Sequence, residues 1–133
     1  MFHLRNLNNI RSFFSKNSLE IVIHALVTTR LDYCNSLFTG LPKTTLLSLQ
    51  TAQNFAARIL LHRGKFHHIT PLLKELHWLP IEVRIDYKII LTLYKICHDL
   101  SPPYLSNLLS YSNSNRDLRS STQNQFIIPR SYF

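Results

Sequence analysis

The sequence predicts an all-α protein, a bundle of five or six helices with an irregular C-terminal tail. Three observations lead there. Only two glycines occur in 133 residues. Apolar residues recur at helical spacing through most of the first 109 positions, and strand-type alternation is scarce. Prolines punctuate the periodic stretches, as helix breaks require. With 45% hydrophobic and 17% charged residues, the chain has the composition of a folded domain. Two regions are expected: a helical domain over 1–109, and a Ser-rich loop and extended tail over 110–133, poorly ordered.

Taken in order, Leu4, Leu7, Ile10 and Phe14 mark an amphipathic helix over residues 2–14. It starts almost at Met1, as if the chain continued upstream. Asn17 with Glu20 reads as a capping box that opens a helix over 18–38. Gly40 fits its C′ position, and Pro42 restarts the chain. A third helix over 43–61 should end at Gly64. Thr70-Pro71 reads as an N-cap and first helical residue for a short helix over 71–76. Leu79-Pro80 opens a long helix to His98, and Ser101-Pro102-Pro103 a last short one toward Leu109. Beyond it, Phe126-Ile127-Ile128-Pro129 is an extended apolar segment able to dock or pair.

Each helical residue advances about 100°, so faces can be assigned. Ile81, Ile85, Ile89, Leu93, Ile96 and Cys97 share one arc of the 80–98 helix, with Asp86 near its middle. Arg84, Lys88 and Lys95 form a basic stripe on the opposite arc. On the 18–38 helix Leu19, Ile23, Leu26, Cys34 and Leu37 define the apolar face, and Arg30 falls inside it. A buried unpaired charge is costly, so Arg30 and Asp86 are expected to form a structural ion pair. Gln53, on the apolar face of the third helix, is expected to bond a neighbouring group.

No catalytic residues, metal ligands or cofactor site are expected. The seven histidines lack the paired spacing of zinc sites. Cys34 and Cys97 fall on apolar helix faces, where a thiol is inert, and the absence of a cysteine framework favours an intracellular setting, nucleus or cytoplasm. There is no glycine-rich phosphate loop and no acidic cluster suited to two-metal chemistry. No apolar run is long enough for a membrane span.

Charge is more informative. The net charge is +8, which favours polyanionic partners, nucleic acid first. Arg58, Arg63 and Lys65, with His62, His67 and His68, make a dense positive segment beside Phe66 and Trp78. Such a mixture suits a nucleic-acid surface, although cations near a helix C-terminus also complement its dipole.

A series of short motifs then adds a resemblance. Arg30-Leu31-Asp32-Tyr33-Cys34-Asn35-Ser36-Leu37 is followed by Gly40-Leu41-Pro42, Leu49-Gln50, Gln53-Asn54 and Ala56-Ala57-Arg58. Next come His68-Ile69-Thr70-Pro71, Leu76-His77-Trp78-Leu79-Pro80, Arg84-Ile85-Asp86-Tyr87-Lys88 and Pro102-Pro103-Tyr104-Leu105. Leu118-Arg119-Ser120-Ser121 and Pro129-Arg130-Ser131 complete the order. This resembles the region C-terminal to the polymerase palm in reverse transcriptases of non-LTR, LINE-type retrotransposons of the jockey-like group. The resemblance implies a helical, thumb-like fold that helps hold template and primer. It implies no polymerase activity, because the paired aspartates of the palm have no counterpart in this sequence. The expected partners are RNA or DNA as a template–primer duplex, and the missing palm, with phosphate contacts from Arg58, Arg63, Lys65, Arg84, Lys88 and Lys95. The alternative expectation is a helical protein-interaction module, or a translated retrotransposon remnant with no selected activity.

Overall fold

The computed structural model describes residues 1–110 and 126–127. The described residues are helical, with no β-strand among them. The helices are α1 (Phe2–Ile10), α2 (Lys16–Ile23), α3 (Thr29–Asp32), α4 (Lys43–Leu60), α5 (Ile69–Glu75), α6 (Ile81–Cys97) and α7 (Pro103–Ser106). A π turn over His24–Thr28 joins α2 to α3 without a break. The chain divides into two compact units, Met1–Ile89 and Ile90–Phe133. The division expected at residue 109 falls inside the second unit.

The first unit is built around α4. Its core-facing side carries Ala56, Ala57, Ile59 and Leu60, all buried. Two adjacent alanines present little side-chain bulk, so other helices can approach closely. Helices α1, α2, the π turn and α5 all pack against α4. Leu4 and Leu7 come from α1, Leu19 and Ile23 from α2, Val27 from the π turn, and Leu73 and Trp78 from α5 and its exit. Trp78, expected near a nucleic-acid surface, is part of this core.

Local chemistry sets the helix limits. Ser15 caps α2, its Oγ accepting from the Ser18 N–H at 3.2 Å; the capping box expected at Asn17 and Glu20 does not form the start. Gly40 adopts φ 79°, the left-handed turn expected of it. Gly64 does not terminate α4. His62 takes the left-handed position instead, at φ 51°. The Arg63 N–H returns to the Arg58 carbonyl at 2.9 Å and the His62 N–H to that of Ile59 at 3.2 Å, a Schellman motif. The same motif ends α5 at His77 (φ 54°) and α6 at Asp99 (φ 55°). At α5 it places Trp78 next to Leu73 in the motif's apolar contact. Helix α5 begins at Ile69 rather than at Pro71. Pro71 sits at the third helical position, where its missing N–H is still harmless.

The expected 18–38 helix ends early, at Asp32, and Cys34 turns left-handed at φ 50° before a 3-10 turn over Asn35–Phe38. The π turn accounts for a second departure. Its wider spacing inserts about one residue into the helical phase. The apolar face therefore runs Leu19, Ile23, Val27, Leu31, and Arg30 is rotated outward into solvent. Asp86 is exposed as well. The expected Arg30–Asp86 pair is thus replaced by one between the other members of the same two motifs. Arg84 Nη1 donates to Asp32 Oδ1 at 2.8 Å, with the arginine side chain 15% exposed and the aspartate 38%. Cys34 and Cys97 are exposed, not buried on apolar faces as expected.

Gln53 is fully buried and bonded, as its position suggested. Its Nε2 donates to the Leu79 carbonyl at 2.8 Å, and its Oε1 accepts from Gln50 Nε2 at 3.0 Å. Gln50 Oε1 in turn accepts the first N–H of α6, from Ile81, at 2.8 Å. The two glutamines bind α4 to the start of α6 and substitute for the side-chain cap that Pro80 cannot supply.

In the second unit, Pro103 occupies the first turn of α7. The Ile127 N–H donates to the Ser110 carbonyl at 2.8 Å, a single backbone bond from the segment read as able to dock or pair. Ile128, Pro129 and the motifs at 118–121 and 129–131 lie outside the described residues.

Candidate anion-binding cleft

The positive segment after α4 folds into a cleft of about 250 Å³, lined by Asn8, Arg11, Phe55, Arg58, Arg63, Gly64 and Lys65. Three elements make it. Helix α4 supplies Phe55 and Arg58 from its last turns. The Schellman turn at His62 reverses the chain and carries Arg63 and Lys65 back past the helix end. Helix α1 and the 3-10 turn after it bring Asn8 and Arg11 to the opposite wall.

Four cations line the cleft and, among the described residues, no carboxylate does. None of the four is ion-paired among the described residues. A helix C-terminus carries roughly half a negative charge, far too little to balance four cations. The excess is the electrostatic condition for holding an anion. Two of the guanidinium groups are also oriented. Arg11 Nη1 donates to Asn8 Oδ1 at 3.1 Å. Arg58 Nη2 reaches the His67 carbonyl at 3.4 Å, a long bond that loosely ties the 62–68 loop to α4. The Arg58 Nε, like that of Arg84 in its ion pair, is buried without a hydrogen-bond partner among the described residues.

Phe66 follows the cleft residue Lys65 in the chain and is 89% exposed. Lys65, which lines the cleft, holds its Nζ 4.9 Å from the Phe66 ring centroid. His62, His67 and His68 are exposed nearby in sequence.

Of the six cations expected to contact phosphate, Arg58, Arg63 and Lys65 are thus brought together. Arg84 is turned into its pair with Asp32 and is not available as a free surface charge. Lys88 and Lys95 are exposed on α6 and do not line the cleft. Arg11 was not among the expected contacts. Its helix-face position offered no signal, because only the packing of α1 on α4 brings it to Arg58.

Elsewhere, an apolar cleft of about 430 Å³ lies along Leu73, Trp78, Leu79 and Pro80. Among the described residues no group of three or more His, Cys, Asp or Glu is placed to hold a metal. No described helix is long and apolar enough to cross a membrane. The fold and the cleft define the class: an all-α chain with a cationic cleft at the end of its central helix. No family model, no curated protein and no solved structure matches the chain.

Proposed function

We propose that this chain is a non-catalytic helical module that binds a nucleic-acid backbone through the cleft of Arg11, Arg58, Arg63 and Lys65. The observation that carries the reading is the convergence on one cleft of four cations that have no ion pair, and no carboxylate beside them, among the described residues. The ordered motifs support a more specific version. They resemble the thumb-like region that follows the palm in LINE-type reverse transcriptases, where a helical segment holds template and primer. On that reading the partners are RNA or DNA and the palm, and the chemistry of polymerisation belongs to the palm.

The test is fluorescence anisotropy of two labelled probes, a single-stranded oligothymidylate and a primer–template duplex, over a salt series. Binding at low salt should fall steeply as salt rises, because each neutralised phosphate releases counterion. Replacing Arg63 and Lys65 by alanine should weaken it at every sequence tried. No binding at low salt, or binding indifferent to those changes, refutes the proposal.

A second reading has its own observation. Val83 and Tyr87, one helical turn apart on α6, are both exposed. A pair of this kind suits a protein neighbour, so a helical interaction module is the alternative. Under it, purified chain would bind no nucleic acid at low salt.

A further inference from the structure

We infer that the cleft and Phe66 together form a site for an unpaired nucleotide, with the phosphate among the cations and the base stacked on the Phe66 ring. The inference rests on the backbone-binding reading and adds strand state to it: the site favours single-stranded over duplex nucleic acid.

Three features lead there. The first is the ring itself. A phenylalanine 89% exposed is unfavourable in water unless something covers it, and here it sits in a strongly cationic loop rather than in an apolar patch. The second is the arrangement of charge about it. Lys65 Nζ lies over the ring at 4.9 Å, so a cation already engages the aromatic π-system. The ring's exposure leaves room for a base to stack. Base, ring and ammonium would then form a column, with Lys65 also facing the cleft that holds the phosphate. The third is size. A cleft of about 250 Å³ has room for one phosphate group. In a duplex the base faces are covered by their neighbours, so only a strand with an unstacked base can use Phe66. Any base presents such a face, so the site discriminates strand state and not sequence.

The experiment compares three labelled probes by anisotropy at one low salt concentration: a short oligothymidylate, the same strand with abasic positions, and a duplex of equal length. Each is measured with the wild-type chain, Phe66→Ala and Phe66→Trp. The exposed ring makes no core contact, so both variants should fold, which circular dichroism checks. Expected is tighter binding of oligothymidylate than of duplex. Phe66→Ala should weaken oligothymidylate by about fivefold or more, the low end of base–aromatic stacking, and leave the abasic strand and the duplex within about twofold. Phe66→Trp should restore the loss. Equal affinity of Phe66→Ala and wild type for oligothymidylate, an equal loss on the abasic strand, or duplex binding at least as tight as single strand overturns the inference while leaving the backbone-binding proposal standing. Failure of every probe to bind wild type overturns that proposal, and this inference with it.

Discussion

His62, His77 and Asp99 end their helices in the left-handed region, at φ 51°, 54° and 55°, without being glycine. A Cβ there meets the following carbonyl, a strain of about 1–2 kcal/mol that glycine avoids. His62→Gly and His77→Gly should therefore each raise stability by roughly 0.5–1 kcal/mol, part of the relief being lost to the more flexible unfolded chain. Denaturant unfolding checks this; unchanged or lowered midpoints would contradict it. These positions also explain a misreading. Glycine is the usual signal for a helix end, so Gly64 drew the expected stop. The Schellman hydrogen bonds two residues earlier are visible only in three dimensions. The ion pair tells a similar story. The Arg-x-Asp-Tyr segments at 30–33 and 84–87 do meet, through Asp32 and Arg84 rather than through Arg30 and Asp86. A double-mutant cycle on Asp32→Ala and Arg84→Ala should show coupling of about 1–2 kcal/mol, as befits a charge-assisted bond with one side mostly buried. The corresponding cycle on Arg30 and Asp86, both exposed, should show none.

At the scale of elements, regular periodicity was legible and its interruption was not. Helices α1, α4 and α6 lie within a few residues of where the apolar spacing places them. The segment 18–38 departs because the π turn at His24–Thr28 shifts the phase and Cys34 breaks the chain direction. Neither event has a glycine or proline to announce it. Arg30 falls on the apolar face only if 18–38 is one unbroken helix, and one inserted residue turns it outward. How α4 meets α6 was legible only in part. Gln53 stood out as a polar residue on an apolar face, but its partner is a carbonyl 26 residues away. Gln53→Leu keeps the volume and leaves the Leu79 carbonyl without its donor, and should lower stability by about 1–3 kcal/mol in thermal or urea unfolding. No loss would mean that the relay through Gln50 to Ile81 does not hold α6 in place.

For the whole molecule, a net charge of +8 says that a polyanion is attracted and does not say where. Packing gathers part of that charge in one place. It selects Arg58, Arg63 and Lys65 from six expected contacts, adds Arg11 from a distant segment, and withdraws Arg84 into an ion pair. The all-α class followed from composition and spacing. The cleft depends on a left-handed turn and on the docking of α1, which no local pattern records. The central claim is that this cleft, rather than the general positive charge, engages the phosphate backbone. The most direct measurement is the slope of log binding constant against log salt concentration on single-stranded oligothymidylate, for wild type, for Arg63→Ala with Lys65→Ala, and for Lys88→Ala with Lys95→Ala. Each pair removes the same charge. The account predicts that the cleft pair lowers the slope by about 1.4, two phosphate contacts at roughly 0.7 each, and that the α6 pair leaves it nearly unchanged. Equal reductions from both pairs would contradict it, and would mean that net charge alone draws the nucleic acid.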